Sequence, residues 1–314
     1  MNCGIVYDPF FEKHKTGTSH PEKFNRATYI YKHLEKKGYT DESYRININK
    51  ISEENLALVH CPNYLKKAKK EILSGQSQLS TGDTNICPKS WDVASYASGG
   101  ILNAVEHVID GKFNQAFCLT RPPGHHANSE KGMGFCLFNH IALAARYAQK
   151  KLGVGKIFII DWDVHHGNGT QDIFYEDDSV FFFSTHQFPW YPGTGQIDEK
   201  GKGKGLGYTL NIPLPPGSGK KEIVDHAFSK ILPSYVSKFK PELILISAGF
   251  DSRVNDPLGQ FCLNDEDFFE LTKIILSMAK DYSNSNIISV LEGGYNLDGL
   301  AKAAEFHLKA FVDD

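Results

Sequence analysis

The chain predicts an α/β fold: one mostly parallel sheet with helices on both faces, in a single domain over residues 1–314. Three observations carry this. Short apolar runs of strand length alternate with longer segments of helical periodicity. No Pro, Gly, Ser or charge run marks a linker, and no internal repeat divides the sequence. At 314 residues and 41% hydrophobic content, the chain can bury one large core without splitting into smaller units.

Each element has a local reason. The N-terminal stretch through Cys3-Gly4-Ile5-Val6 reads as a first strand rather than a signal peptide. Ser19-His20-Pro21-Glu22 opens a helix, with Pro21 in the first turn and an apolar stripe through Phe24, Tyr31 and Leu34. Lys66, Lys67, Lys69 and Lys70 fall in a helical pattern and read as its solvated face. Ser90 caps a helix to about Ile109, and residues 116–119 form a strand. A helix from about Asn139 to Lys151 leads into the β-branched run Ile157-Phe158-Ile159-Ile160. Strands come next at 180–183 and 243–246. Asn264 caps a helix to about Tyr282, 287–291 is a strand, and a last helix starts near Asp298. The run Gly201–Gly207 lacks the GxxxxGK[ST] spacing of a phosphate loop and reads as a surface loop.

Composition narrows the function. A net charge of −3 leaves no electrostatic footprint for nucleic acid or an anionic membrane. The longest apolar runs fall short of the ~20 residues a membrane helix needs. Cysteines at 3, 61, 87, 118, 136 and 262 form no CxxC, which fits free thiols in a reducing cytoplasm.

In doubly wound sheets ligands bind beyond the carboxyl ends of the strands, so the residues just after each strand are informative. Arg121-Pro122-Pro123-Gly124-His125-His126 comes after one, and Asp161-Trp162-Asp163-Val164-His165-His166-Gly167-Asn168-Gly169 after another. Ser184-Thr185-His186, Ser247-Ala248-Gly249-Phe250-Asp251 and Glu292-Gly293-Gly294-Tyr295-Asn296 come after the rest. Two-residue spacing lets Asp161, Asp163 and His165 share one face if the segment stays extended. Asp163, His165 and Asp251 make three oxygen and nitrogen ligands with a fourth position open, a set that suits Zn²⁺ or Fe²⁺. His125 and His126 can supply a base for a water there, with Asp161 and Asn168 as orienting partners. Tyr295, after two glycines, can bring its hydroxyl to a developing oxyanion.

These residues resemble the zinc-dependent histone deacetylases, their class II branch above all, and the bacterial amidohydrolases and acetylpolyamine amidohydrolases related to them. The likeness runs from His20-Pro21-Glu22 and Arg26 through RPPGHHA (121–127), Gly134-Phe135-Cys136, DWDVHHGNG (161–169), PGTG (192–195), AGFD (248–251) and DPLG (256–259) to EGGYN (292–296). The resemblance implies the arginase/deacetylase-like fold and one catalytic zinc on Asp163, His165 and Asp251. It implies His125 and His126 as a general base and acid pair, and Tyr295 polarising the scissile carbonyl of an acyl-lysine in a protein or peptide. It also implies potassium near Asp161, Asp163, His165, Ser184 and Thr185, and a second potassium site that includes Phe174 and Tyr208. For the substrate, Gly134 and Phe135 match one wall of an acyl-lysine tunnel and Tyr191 the other. Asp83 matches the residue that holds the substrate backbone, Arg26 an arginine near the inner end, and Leu258 the position where polyamine-selective relatives carry an acidic residue.

Three alternatives stay open: acetylpolyamine hydrolysis by the same machinery, a binuclear manganese hydrolase of arginase type, and a non-catalytic acyl-lysine reader. The manganese class needs a DxD late in the chain, and here Arg253 stands two residues after Asp251.

Overall fold

A computed structural model describes residues 3–313; Met1, Asn2 and Asp314 of the predicted domain lie outside the described residues. The strands are β1 (Cys3–Val6), β2 (Arg45–Ile46), β3 (Gln115–Cys118), β4 (Ile157–Asp161), β5 (Val180–Gln187), β6 (Thr209–Leu214), β7 (Leu243–Ala248) and β8 (Ile287–Leu291). They form one sheet in the order β2-β1-β3-β8-β7-β4-β5-β6, and every pairing is parallel. The helices are α1 (Arg26–Lys36), α2 (Glu53–Leu56), α3 (Pro62–Leu73), α4 (Ser90–Ile109), α5 (His140–Leu152), α6 (Asn168–Phe174), α7 (Lys220–Glu222), α8 (Leu232–Phe239), α9 (Asp265–Tyr282) and α10 (Leu297–Val312).

Both faces of the sheet are buried, so its central strands are apolar on alternate residues toward both sides. Phe158 and Ile160 join a core with α1, α8, α9 and α10, whereas Ile157 and Ile159 join a second core with α3, α4 and α5. Asn139 caps α5 by accepting the Ala142 amide, and Asn264 forms a capping box with Asp267 at the start of α9. The Lys-rich stretch of α3 lies as expected: Tyr64, Leu65 and Ala68 are buried, and Lys66, Lys67 and Lys70 are exposed.

Some boundaries differ from the sequence reading. The first helix starts at Arg26 rather than near Ser19, because the Glu22 carboxylate turns inward to Arg26 and Arg121 instead of capping a helix. β5 runs on through Ser184, Thr185 and His186, which are therefore strand residues and not part of a loop. β6 is not among the strands the sequence predicts; it contains Pro213 and is an edge strand, where a missing amide donor is tolerated. The helical stretch 220–239 is likewise not among the predicted helices. Pro233 interrupts it, and residues Ile223–Ile231 form a π-helix that closes with the Leu232 amide on the Ala227 carbonyl.

Register fixes where the site lies. Asp161 aligns with Ser184 on one side and Ser247 on the other, and Ala248 aligns with Leu291. The carboxyl ends of β4, β7 and β8 are thus nearly level, β5 runs three residues further, and the segments leaving these strands meet.

Candidate active site

At Asp161 the chain leaves the sheet and bends. The Asp163 amide donates to Asp161 Oδ1 at 3.1 Å and the His165 amide to Asp163 Oδ1 at 2.9 Å, so each aspartate turns the backbone two residues on. Strict alternation therefore ends, and the shared face expected for Asp161, Asp163 and His165 does not form. Asp161 faces His125 instead, and Asp251 joins Asp163 and His165.

Ligand atoms of Asp163, His165 and Asp251 lie within 4.8 Å of one another, and all three residues are buried. His165 Nδ1 is 3.0 Å from Asp163 Oδ1 and 3.2 Å from Asp251 Oδ2. Backbone donors hold the other carboxylate oxygens: Gly293 N–H on Asp163 Oδ2 at 2.8 Å and Val164 N–H on Asp251 Oδ1 at 3.0 Å. Asp251 Oδ2 is buried and, apart from this 3.2 Å approach of His165 Nδ1, has no hydrogen-bond partner among the described residues. An orphaned carboxylate oxygen is costly unless a cation meets it, and this donor set fits a divalent ion. Burial disfavours the His165 imidazolium, yet Asp163 and Asp251 raise it to about 10, a measure of the negative field that such an ion would neutralise. Gly293 is required here, since a Cβ would collide with both carboxylates.

The paired histidines sit in different fields. His125 Nδ1 is 3.0 Å from Asp161 Oδ2, and His126 Nδ1 is 2.8 Å from Asn168 Oδ1. Both orienting partners are the expected ones. Burial works against charge on both rings, but Asp161 and Asp163 lift His125 to about 10, while burial and the His125 charge hold His126 well below its ordinary value. Because an amide oxygen can only accept, His126 Nδ1 carries the proton and Nε2 keeps a lone pair. Asp161 itself is raised to about 6 by burial, against the pull of His125.

Above these groups is a cavity of about 280 Å³ lined by Asp83, His126, Gly134, Phe135, His165, Trp190, Tyr191, Pro257, Leu258 and Tyr295. Phe135 and Tyr191 both line it, and so does Trp190, from the same segment 188–191 in which the sequence places the wall opposite Phe135. The Tyr191 ring packs edge-on to His126 with centroids 5.1 Å apart. Asp83 Oδ1 accepts the Gly134 amide at 2.6 Å and the Tyr191 hydroxyl at 3.3 Å. Burial pushes the Tyr295 phenol well above its ordinary value, so the hydroxyl stays a donor.

Arg26 is placed differently from the reading of it as a substrate contact. It does not line the cavity; it is fully buried beneath Tyr295, 4.9 Å from the ring centroid, and donates to the Gly294 and Glu292 carbonyls. It braces the turn that carries Tyr295. Arg253 pairs with Asp265 at 2.6 Å and offers nothing to the carboxylates. Ser184 Oγ is 2.9 Å from His186 Nδ1, and Thr185 Oγ1 is buried without a hydrogen bond among the described residues. The Phe174 and Tyr208 carbonyls accept the Asp177 and Phe182 amides.

Three supporting carboxylates escaped the sequence reading. Glu22 takes a bidentate pair from Arg121 (2.8 and 2.5 Å) and a bond from Arg26 (3.2 Å); burial would raise it, but the arginines hold it at about 2. Glu292 accepts the Gly124 and His125 amides and positions the histidine segment, and burial raises it to about 7. Asp256 accepts the Tyr295, Asn296 and Leu258 amides, and burial and Asp251 raise it to about 7. Each lies inside one of the family-like motifs, but a carboxylate that accepts backbone amides has no spacing signature.

A family model described as the histone deacetylase domain matches residues 20–311. The chain belongs to the histone deacetylase family. A probable deacetylase of Archaeoglobus fulgidus is 39% identical over 301 residues, covering 95% of this chain and 83% of that protein. The human polyamine deacetylase HDAC10 is 35% identical over 304 residues, covering 93% of this chain and 45% of that protein. The crystal structure of the HDA15 HD domain superposes with a TM-score of 0.93 at 33% identity, covering 99% of this chain and 91% of that one. The chain is thus a deacetylase-family protein with the family's α/β architecture. No helix among the described residues is long and apolar enough to cross a membrane.

Proposed function

We propose that this histone deacetylase family member is a zinc-dependent hydrolase that removes acetyl or other short acyl groups from lysine side chains of proteins or peptides. One observation carries the reading: the buried Asp251 Oδ2 lies in a cluster with Asp163 and His165, and His165 lines the same cavity as His126 and Tyr295. Zinc bound by Asp163, His165 and Asp251 would polarise the amide carbonyl and a water. Two carboxylates and one imidazole leave a position free for both purposes.

The chain's own residues do the rest. Phe135 and Tyr191 flank the lysine methylenes and exclude water from them. His126 Nε2 takes a proton from the attacking water and returns it to the departing amine. His125, paired with Asp161, keeps a positive charge beside it. The Tyr295 hydroxyl donates to the carbonyl oxygen as charge develops there, with Arg26 below fixing its height. Asp83 accepts amide N–H groups of the substrate backbone. Potassium is proposed at the β4 and β5 ends, near Asp161, Asp163, His165, Ser184 and Thr185, where a buried Thr185 Oγ1 without a protein partner supports it; a second site near Phe174 and Tyr208 is proposed on the family resemblance alone. Six free cysteines support a reducing compartment, the cytoplasm.

The competing substrate is an acetylpolyamine. Its extra ammonium groups call for a carboxylate at the mouth beyond the one used for backbone. Leu258 stands at the mouth with an apolar side chain, and Glu130 is exposed elsewhere and does not line the cavity. The test is kcat/KM for an acetyl-lysine peptide against N-acetylputrescine and N⁸-acetylspermidine. The peptide is expected to be preferred; a tenfold preference for either polyamine overturns the substrate assignment.

A further inference from the structure

The PGTG motif (192–195) has no part in the proposed chemistry, yet a network of polar side chains converges on it. Glu199 Oε1 accepts the Gly195 and Gln196 amides at 3.0 and 2.9 Å. Glu199 Oε2 accepts Gln171 Nε2 at 2.6 Å. Gln171 Oε1 in turn accepts Asn211 Nδ2 at 2.6 Å and is 3.0 Å from His166 Nε2. Since that oxygen can only accept, His166 carries its proton on Nε2, and its Nδ1 accepts the Thr194 hydroxyl at 2.8 Å. His186 Nε2 meets the Gly195 carbonyl at 2.8 Å. Gly195 itself has φ +90°, and a Cβ there would strike both the His166 and His186 rings.

This network lies under the loop that carries Trp190 and Tyr191. Among the described residues the loop tip has only two side-chain hydrogen bonds across the cavity, Tyr191 to Asp83 and Trp190 to the Leu258 carbonyl, and both aromatic residues are more than one-third exposed. Support from beneath is the stronger anchor, because the Glu199 bonds are charge-assisted and Gln171, His166, His186 and Asn211 are buried. His166 also comes directly after His165, so one peptide links the metal triad to the wall facing the substrate.

We infer that Glu199, Gln171 and Thr194 are positioning residues that set the Tyr191 wall at its distance from Phe135, and so govern affinity for the lysine methylene chain rather than the chemical step. The inference rests on the acyl-lysine reading of the cavity. Its structural core can be measured apart from turnover.

The test compares Glu199→Gln, Thr194→Val and Thr194→Ser with the zinc-loaded wild type. Glutamine at 199 presents an amide donor either to Gln171 Nε2 or to the two backbone amides, so one side of the junction loses its acceptor. Valine at the exposed Thr194 removes only the hydroxyl, and serine restores it. For Glu199→Gln and Thr194→Val, KM for an acetyl-lysine peptide is expected to rise roughly tenfold with kcat within about threefold. A hydroxamate with a lysine-length linker should weaken in parallel, whereas acetohydroxamate, which reaches only the metal, should bind as to wild type. Exchange of the Gly195 and Gln196 amides should quicken in Glu199→Gln, with or without zinc. Unchanged linker-hydroxamate affinity in both variants, or a fall in kcat at constant KM, overturns the inference. If wild type turns over no acyl-lysine yet the linker and short hydroxamates still separate in the variants, the positioning role stands and the substrate reading falls.

Discussion

Acid should unfold this protein through its interior histidines. His14, His60 and His307 are held at about 3 and His140 and His186 at about 4, in every case chiefly because burial disfavours the imidazolium. Each folded value is below the unfolded value near 6.5. The stability these groups contribute is therefore complete above pH 6.5 and is lost as pH falls toward their folded values, because the unfolded chain takes up five protons that the folded chain refuses. Asp256 and Glu292 act in the opposite sense. Raised to about 7, they are protonated in the folded state where the unfolded chain keeps them ionised, so their contribution grows as pH falls. For these seven groups alone, five minus two leaves three protons taken up on unfolding between about pH 6 and pH 5, or about 4 kcal/mol per pH unit, and His166, also held well below its ordinary value by burial, adds to the same side. Against a total stability of about 5–15 kcal/mol, that gradient removes the fold within a few pH units. The groups at the Asp163, His165 and Asp251 triad would titrate with the proposed cation and belong to its binding rather than to this slope. Urea titrations monitored by circular dichroism at pH 7, 6, 5.5 and 5, at fixed ionic strength, measure the slope. A midpoint that is flat or rises from pH 6 to 5 would refute the reasoning.

Further expectations concern the site. Asp251→Ala should lose zinc as measured by elemental analysis while wild type holds about one per chain, since two remaining ligands hold the ion weakly; two tightly bound divalent ions in wild type would contradict the single-site reading. Tyr295→Phe should retain zinc and fold but lower kcat on an acetyl-lysine peptide by roughly 10²–10³, the cost of one oxyanion donor; wild-type turnover would exclude the role. Glu22→Gln leaves Arg26 and Arg121 buried without their carboxylate and should cost about 3–5 kcal/mol in denaturant titration, and a loss below 1 kcal/mol would show that the pair is dispensable.

The chemistry was legible because it lies in contiguous motifs at strand ends: DWDVHHGNG, RPPGHH, AGFD and EGGYN each come after a buried strand whose apolar run is visible in the sequence. Asp161 behind His125 and Asn168 behind His126 were readable because orienting partners must be short acceptors close to a neighbouring strand end. What escaped was set by three-dimensional neighbours. Arg26 lies within a helical pattern, and nothing local says that its guanidinium will cross to carbonyls more than 260 residues away. The role of Glu22 depends on Arg121, ninety-nine residues on, so a turn with helix-opening composition became an ion-pair anchor instead. β6 and the helical stretch 220–239 contain prolines whose tolerance depends on an edge position and on a shifted hydrogen-bond pattern.

The strand order has a consequence for synthesis. β8, the last strand to be made, pairs with β3 on one side and β7 on the other, in the middle of the sheet. Until it arrives, β2-β1-β3 and β7-β4-β5-β6 are two blocks with open edges facing each other. The Gly293 amide that fixes Asp163 lies just beyond this strand, as do the Tyr295 turn and the Glu292 carboxylate. A chain still on the ribosome can therefore expose Asp163, His165 and Asp251 and yet lack the geometry that the proposed ion needs. Competence of the proposed cation site therefore arrives with the insertion of β8, after the other seven strands have been made.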